Sequence, residues 1–456
     1  MKPIRVIGAG LAGCEAAWQA ARLGVPVILS EMKPKRYSPA HVYPGFAELV
    51  CSNSLRSAQL SNAVGLLKEE MRRLGSLVIG SADKTQVPAG AALAVDRKEF
   101  SDLVTSRIAS NPLITVREEE VTEIPADGVT VIATGPLTDG KMAESVSALF
   151  GGDQLSFFDA VAPIVDAASV DTSIAYFASR YGKGEPTDYL NCPMTREQYD
   201  VFYDALLHAE TAPLHDFDAE AQKEPNVFEG CMPVEVMAKR GYDTLRYGPM
   251  KPIGLPDPKT GREPYAVVQL RRENTAGTAY NLVGFQTHLT YGEQKRVFGL
   301  IPGLANASYF RFGVMHRNTF INSPSRLSAQ YETLSRKGLF FAGQITGVEG
   351  YVESTASGVI SGVSAALRAL GEEPIDFPAE TVIGSLGHYV YSGWIGKFQP
   401  MNSSVGLLPP LEKKVKGGKR ARNDEFANRS LTAVGELGKR IFGNPEKEGM
   451  NRENTD

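Results

Sequence analysis

Cysteines are the residues of this 456-residue chain best suited to covalent chemistry, and the four of them lie far apart, at Cys14, Cys51, Cys192 and Cys231. No C-x-x-C pair occurs and the six histidines show no metal-ligand spacing, so neither a disulfide framework nor a metal site is predicted. A cysteine can act as a nucleophile or exchange a proton. A lone cysteine is more often a small buried residue, which is the role predicted for Cys14 and Cys192. Cys51 and Cys231 lie in polar, turn-like stretches and not on apolar stripes, which somewhat favours a reactive role over a buried one.

A glycine-rich turn near the N-terminus has the residue types and spacing that bind a dinucleotide. The G-x-G-x-x-G stretch consists of Gly8, Ala9, Gly10, Leu11, Ala12 and Gly13. An apolar strand precedes it, a helix is predicted over Cys14 to Leu23, and a second strand ends beside Glu31, 18 residues beyond Gly13. Glycines permit close approach to a pyrophosphate, the helix N-terminus binds its charge, and an acid about 20 residues on binds the ribose hydroxyls.

Two later stretches have the same character. A buried strand runs from Val129 into Thr134 and Gly135, where the chain is expected to pass close to a cofactor. A strand ending at Gly343 and Gln344 is followed by Gly350 and a helix whose apolar face ends at Gly371. The alternative is an ordinary strand–loop–helix unit of the same sheet. We favour a second cofactor-binding segment, and FAD rather than NAD alone, because the N-terminal motif needs a partner segment to enclose a flavin.

These motifs predict an α/β fold: a Rossmann-type FAD-binding domain, of the kind with two dinucleotide motifs, split by an inserted α+β domain. The predicted parts are residues 1–155 and 326–443 for the FAD-binding domain, 156–325 for the inserted substrate domain and 444–456 for a disordered tail. No apolar run approaches the roughly 18 residues of a membrane span. The first strand begins almost at Met1, so no cleaved leader is expected, and a cytoplasmic location is predicted.

Longer motifs carry a resemblance that covers nearly the whole chain. They are residues 8–13, 49–56 (LVCSNSLR), 131–137 (VIATGPL), 228–235 (FEGCMPVE), 284–289 (GFQTHL), 313–319 (GVMHRNT) and 341–347 (FAGQITG). In these stretches the chain resembles the folate- and FAD-dependent tRNA uracil-5 methyltransferase family. A related family, the FAD proteins that modify the wobble uridine of tRNA, shares both ends. Its members differ around the first cysteine and have a long helical C-terminal extension that this sequence lacks.

The resemblance implies a reaction and roles for named residues. In the family, 5,10-methylenetetrahydrofolate supplies one carbon, and FAD reduced by NAD(P)H supplies the electrons. The acceptor is C5 of the uracil at tRNA position 54, in the T-loop. Cys231 is the predicted nucleophile and Cys51 the predicted acid/base near the flavin, although the two roles could be exchanged. Asn53, Arg56 and His288 are the predicted substrate contacts, with the imidazole of His288 stacking on the pterin of folate. The alternatives are that Asn53 and Arg56 are turn or solvated residues and that His288 is a surface histidine.

RNA contact must come from local patches, because the net charge of −4 gives no overall attraction to nucleic acid. A basic run near the C-terminus comprises Lys413, Lys414, Lys416, Lys419, Arg420 and Arg422. Such a run is as often a solvated loop as a binding surface. Two other functions are carried forward as alternatives: a wobble-uridine modification subunit that needs a partner protein, and a non-catalytic flavin-binding RNA scaffold in which both cysteines are dispensable.

Overall fold

The computed structural model describes residues 1–152, 154–212, 232–393, 398–413 and 415–443, with only the backbone described at 154–159, 316 and 317. The predicted nucleophile Cys231 and the predicted tail at 444–456 lie outside these ranges. None of the helices within them is both long and apolar enough to cross a membrane.

The α-helices in the described ranges are, in chain order, α1 (Leu11–Arg22), α2 (Ala63–Arg73), α3 (Leu77–Ala82), α4 (Arg97–Ala109), α5 (Gly140–Leu149), α6 (Arg196–Leu207), α7 (Val234–Lys239), α8 (Thr244–Tyr247), α9 (Tyr291–Phe298), α10 (Tyr351–Ala369), α11 (Val382–Ser392) and α12 (Gly418–Phe442). The strands are β1 (Ile4–Ile7), β2 (Val27–Glu31), β3 (Ser54–Ser57), β4 (Gln86–Val87), β5 (Ala92–Val95), β6 (Ile114–Glu118), β7 (Thr130–Ile132), β8 (Gln154–Ala160), β9 (Ile164–Asp166), β10 (Tyr176–Phe177), β11 (Tyr189–Met194), β12 (Ala266–Arg272), β13 (Ala279–Leu282), β14 (Tyr309–Arg311), β15 (Met315–Ile321) and β16 (Leu339–Phe341).

A parallel five-stranded sheet in the order β16-β7-β1-β2-β6 forms the centre of the first unit. Its strands are short and apolar, as expected where helices cover the faces of a parallel sheet. Helices α1 and α10 pack closely because two glycines of α10 lie against the backbone of α1. A Cβ on Gly358 would stand 2.4 Å from the Ala12 carbonyl oxygen, and one on Gly362 would stand 2.5 Å from that of Ala16. This contact brings the two glycine-bearing helix N-termini to the same sheet edge.

An antiparallel six-stranded sheet in the order β10-β11-β12-β13-β9-β14 forms the second unit. Its separate apolar core runs from Val165 to Leu304 and includes α6 and α9. The antiparallel ribbon β8–β15 leads into and out of this unit, from Gln154 to Ile321. The division of the chain near residues 156 and 325 stays a prediction.

Helix α10 begins at Tyr351, directly after Gly350, as predicted. Two other helices differ from the sequence-based expectation. Helix α1 begins at Leu11 and not at Cys14, because the third glycine of the motif lies in its first turn and hides the helical pattern. The basic run continues into α12, for which no helix was predicted. Phe426, Val434 and Leu437 of α12 are buried in the first core, so the segment is an amphipathic helix whose other face carries the charges.

Candidate active site

A first cleft of about 1270 Å³, including its open mouth, lies at the carboxyl edge of the parallel sheet. Its walls include most of the predicted cofactor residues, namely Gly8, Ala9, Gly10, Leu11, Ala12, Glu31, Thr134, Gly135, Gly343 and Gln344. Buried Glu31 holds the glycine turn, because its carboxylate accepts hydrogen bonds from the backbone N–H of Ala9 at 2.7 Å and of Lys33 at 3.0 Å. The sequence motifs therefore converge on one cleft.

Each of the three glycines of the first motif is a glycine for a different structural reason. Gly8 has φ +99°, and a Cβ there would stand 2.5 Å from the Ala133 carbonyl oxygen. A Cβ on Gly13 would stand 1.8 Å from the carbonyl oxygen of Gly8, so Gly13 packs beneath the turn and not in the cleft. A Cβ on Gly10 would meet nothing within 4 Å. No protein atom would clash with a side chain at Gly10. A glycine at this position is therefore consistent with a ligand that approaches the backbone there.

The N-terminus of α1 supplies the donors that a pyrophosphate needs. Its N-cap is Gly10, and no side chain caps the first-turn amides. Such uncapped N–H groups, with the helix dipole, attract anions. Gly343, with φ +88°, closes the cleft from the other side and donates its N–H to the Ser357 hydroxyl at 2.6 Å. The glycines, Glu31 and the open amides would fit a bound FAD.

A second cavity of about 1320 Å³ adjoins the cleft and contains the thiol of Cys51. The two spaces share five lining residues: Val50, Pro136, Leu137, Gln344 and Tyr351. Further walls of the second cavity come from both units of the fold, through Ser52, Arg56, Gly350 and Asn402 on one side and Arg271, Asn281 and Gln286 on the other. A molecule in the second cavity therefore lies beside one bound in the cleft.

Cys51 is partly exposed and its backbone is fixed. The phenol oxygen of Tyr351, the first residue of α10, accepts hydrogen bonds from the N–H of Cys51 at 2.6 Å and of Ser52 at 3.2 Å. The guanidiniums of Arg97 and Arg271 interact electrostatically with the Cys51 sulfur. By contrast Cys14 and Cys192 are fully buried, as predicted, and burial raises the pKa of the Cys192 thiol to about 12. Among the described cysteines, Cys51 alone lines the second cavity.

Comparison with known proteins decides the family. Residues 3–373 match the family model described as GIDA, glucose inhibited division protein A. The methylenetetrahydrofolate--tRNA-(uracil-5-)-methyltransferase TrmFO of Lactobacillus gasseri is 58% identical, over 94% of this chain and 97% of the relative. The protein of that name from Acetivibrio thermocellus is also 58% identical, over 95% and 98%. The chain belongs to the family of methylenetetrahydrofolate--tRNA-(uracil-5-)-methyltransferases.

Among solved structures, GidA of Aquifex aeolicus has a TM-score of 0.69 with 18% identity, and the match covers 99% of this chain and 75% of that one. At that identity the likeness shows the fold alone, and it confirms the predicted Rossmann-type FAD-binding architecture of the family. Within the described ranges, no group of histidine, cysteine and acidic side chains has the arrangement of a metal site.

Two predicted site residues of this family member lie elsewhere than expected. Asn53 is fully buried and its amide is committed within the protein. It donates to the carbonyls of Val95 at 3.0 Å and Arg272 at 2.9 Å, and it accepts from Arg271 Nε at 3.0 Å. Asn53 therefore positions the cysteine segment and does not contact substrate, which corrects the prediction. Gly350 lines the second cavity and not the cofactor cleft, because α10 starts between the two.

Arg56 and His288 differ in their relation to the second cavity. Arg56 lines it, in a left-handed backbone conformation with φ +61°, and its guanidinium binds Asn402 at 2.9 Å and buried Glu353. His288 lines neither space. Its N–H donates to Glu235 at 2.8 Å, and burial lowers the pKa of its imidazole. Stacking of His288 on a pterin stays a prediction.

The segment that follows Cys231 is tied to the wall of the second cavity, although Cys231 itself lies outside the described residues. The N–H of Val234 donates to the carbonyl of Gln286 at 2.7 Å, and Gln286 lines the cavity. Buried Glu235 accepts a hydrogen bond from the Thr287 hydroxyl at 2.9 Å. The chain three residues beyond Cys231 is thus anchored at this cavity.

Sequence reasoning missed Tyr351, Arg271 and Asn281, all of which line the second cavity. Tyr351 had a signal, since it follows Gly350 directly and begins the helix that the second glycine motif introduces. Arg271 and Asn281 lie on strands of the inserted sheet, with no local motif to distinguish them from other polar strand residues.

Proposed function

We propose that this chain methylates C5 of a uracil in tRNA, with FAD in the first cleft and 5,10-methylenetetrahydrofolate as the carbon donor. The observation that carries this proposal is the position of Cys51 in a cavity that shares a wall with the cofactor cleft. Relatives with 56–58% identity are named for the same activity. The proposed place of action is the cytoplasm, where tRNA is found.

The first cleft has residues for each part of FAD. The amides at the start of α1 and Gly10 would hold the pyrophosphate, Glu31 the ribose hydroxyls, and Gly343 and Gln344 the flavin end. Reduced by NAD(P)H, FAD supplies the two electrons that convert the transferred methylene into a methyl group. The chain's own contribution is to hold the donor, the thiols and the base in neighbouring spaces and to exclude water from them.

Two thiols serve the uracil chemistry. A thiolate adds to C6 and makes C5 nucleophilic, and a base removes the C5 proton once the new carbon–carbon bond has formed. The thiolate is then expelled from C6, which restores the C5–C6 double bond and releases the product. We assign the nucleophile to Cys231 and the proton transfer to Cys51, the reverse assignment being the second candidate. Two guanidiniums flank the cysteine segment, since Arg97 donates to the carbonyl of Leu49 and Arg271 to the hydroxyl of Ser52 at 2.8 Å. The anchoring of Val234 to Gln286 supports bringing Cys231 to the same cavity.

We propose the T-loop as the tRNA region, at position 54, with the target base turned out of its stack to reach the cavity. The first part of α12 contacts the segment that follows β3, the strand that contains Arg56, because Asn423 donates to the carbonyl of Ser61 at 2.9 Å. The exposed basic residues of this region would contact phosphates. They are Lys413, Lys416, Lys419, Arg420 and Arg422.

The test uses the purified yellow holoenzyme with labelled 5,10-methylenetetrahydrofolate, NAD(P)H and an unmodified T-arm minihelix. The wild-type enzyme is expected to label uracil C5, and Cys51→Ala and Cys231→Ala to lose the label while keeping flavin. Cys192→Ala is the control, since this thiol is buried far from both spaces in the second core. Full activity of both cysteine variants would refute the thiol mechanism. Labelling of an anticodon-arm minihelix in place of the T-arm would favour the wobble-uridine alternative.

A further inference from the structure

Asn281 carries a buried amide group without a hydrogen-bond partner. The residue is 3% exposed, and its Nδ2 makes no hydrogen bond to any part of the chain that the structure describes. Buried polar groups are almost always paired, because an unpaired donor loses its hydrogen bonds to water without replacement. Asn281 also lines the second cavity. Because Nδ2 itself has almost no accessible surface, a ligand in that cavity would accept from it once the carboxamide turns towards the cavity.

The amide belongs to the same wall as the reactive thiol. Asn281 stands directly opposite Arg271 in the antiparallel pair β12–β13, so the two side chains share one face of the sheet. Arg271 donates to the Ser52 hydroxyl at 2.8 Å and to Asn53 at 3.0 Å, which are the two residues after Cys51. The strand that presents Asn281 is thus tied through one side chain to the segment that presents the thiol.

The neighbours of Asn281 in this wall favour a neutral, polar ring. Val283, Gln286 and Asn318 line the same cavity and none of them is charged, whereas the guanidinium of Arg271 is already bound to Ser52 and Asn53. A carboxamide presents one donor and one acceptor side by side. That pair is complementary to a lactam edge, in which a ring N–H stands next to a ring carbonyl.

We propose that the Asn281 carboxamide binds the lactam edge of the heterocycle that enters the Cys51 cavity, and so selects a uracil over a cytosine. Nδ2 donates to the ring carbonyl and Oδ1 accepts from the ring N–H. The target uracil offers this pair at N3 and O4, and the pterin of folate offers the same chemistry. Cytosine has an unprotonated N3 and an amino group at C4, so both contacts are lost as long as the amide keeps this orientation. This inference rests on the proposed function.

The uracil arm of the test compares T-arm minihelices that carry uracil, cytosine or N3-methyluracil at the target position. A site built around a hydrogen bond to substrate rejects analogues that lack it, so wild-type kcat/KM should fall at least about 100-fold for both analogues. Asn281→Ala should lower kcat/KM for uracil about 10- to 100-fold and reduce the discrimination to below about tenfold. Asn281→Asp, which as the protonated acid can pair with either base, should accept cytosine as well as uracil and so lower the discrimination. Asn274→Ala on the same hairpin, whose amide binds Thr278, is the matched control.

The pterin arm measures the KM for methylenetetrahydrofolate at saturating RNA. A rise of about tenfold or more in Asn281→Ala, with base discrimination unchanged, assigns the lactam to the pterin. The inference is overturned if wild type accepts N3-methyluracil as well as uracil and neither KM changes more than about twofold. Flavin content and the rate of flavin reduction by NAD(P)H verify the fold of each variant, and Asn281→Ser replaces any variant that loses flavin. A wild-type enzyme that labels no RNA refutes the proposed function, which is a separate outcome.

Discussion

The phenol oxygen of Tyr351 accepts a hydrogen bond from the backbone N–H of Cys51 at 2.6 Å. The cysteine segment is thereby fixed to the first residue of α10, at the wall shared by the two cavities. Tyr351→Phe removes this acceptor without changing the size of the ring. Because one such bond contributes about 1 kcal/mol, we expect kcat for methyl transfer to fall about tenfold with flavin content unchanged. Tyr391→Phe, at an exposed ring, is the control. An unchanged kcat would contradict this positioning role.

Lys68 supports the backbone on both sides of Arg56. Its buried ammonium donates to the carbonyls of Leu55 at 2.8 Å and Ser57 at 2.7 Å, which flank the left-handed Arg56. Lys68→Met leaves those carbonyls unpaired and releases a conformation that costs about 1–2 kcal/mol in a residue with a side chain. We expect the KM for RNA to rise about tenfold while FAD affinity stays the same. Lys84→Met, at a lysine just after α3, serves as the control. Equal effects in both variants would argue against a role of Lys68 in holding the backbone around Arg56.

The same lysine predicts a pH dependence of stability. Burial, with the positive charge of Arg56, lowers the pKa of Lys68 to about 7 in the folded protein. Between that value and its ordinary value of about 10.4, the unfolded chain binds more protons than the folded one, so the free energy of unfolding rises with pH. We therefore expect wild type to gain stability relative to Lys68→Met as the pH increases from 7 to 10. Urea unfolding of both proteins at several pH values measures this difference in the free energy of unfolding. A difference that does not change with pH would contradict the lowered pKa of Lys68.

The glycines of the first motif should separate folding from cofactor binding. Gly13→Ala places a Cβ against the carbonyl oxygen of Gly8 and should destabilise the apoprotein and abolish flavin binding together. At Gly10 a Cβ meets no protein atom within 4 Å, so Gly10→Ala should leave the thermal stability of the apoprotein unchanged and still weaken FAD binding. Gly435→Ala within α12 is equally free of contacts and should stabilise by about 0.5–1 kcal/mol. Full flavin content in Gly10→Ala would show that the cofactor does not approach that residue.

Local patterns in the sequence were sufficient for the cofactor cleft. The strand, glycine turn, helix and acid all lie between Ile4 and Glu31, so their spacing alone predicts how they meet. The paired segment at Gly343 was predictable for the same reason, since it is another strand–turn–helix unit. The structure adds the reason for each glycine, which depends on atoms far away in the chain, such as the carbonyl of Ala133 beside Gly8.

The second cavity was not predictable in the same way, because its walls come from distant parts of the chain. Asn281 and Arg271 reach Cys51 only through the pairing of β12 with β13 and the side-chain bonds across the two units. Asn53 illustrates the reverse case, in which a motif predicted a contact that the structure does not support. Its place in a motif suggested substrate contact, whereas the structure uses its amide to join three backbone and side-chain groups. Burial of this kind has no local signature in the sequence.

The basic start of α12 should determine how strongly RNA binding depends on salt. Lys416, Lys419 and Arg420 are exposed there, and each phosphate contact that forms releases counterions. Replacing all three by alanine should weaken RNA binding at low salt and reduce the slope of log K against log salt by about 2 to 3. The flavin content and the reduction of flavin by NAD(P)H should not change, because both depend on the first cleft.

The same helix provides the control for this prediction. Lys439 and Arg440 are exposed near its C-terminal end, about 30 Å from Lys419 by the rise of an α-helix. If the start of the helix is the contact surface, alanine at both of these positions leaves the salt slope unchanged. An equal loss at the two ends would mean that general positive charge governs RNA binding. No loss in either variant would move the RNA surface to the inserted unit, where Lys295 and Arg296 are also exposed.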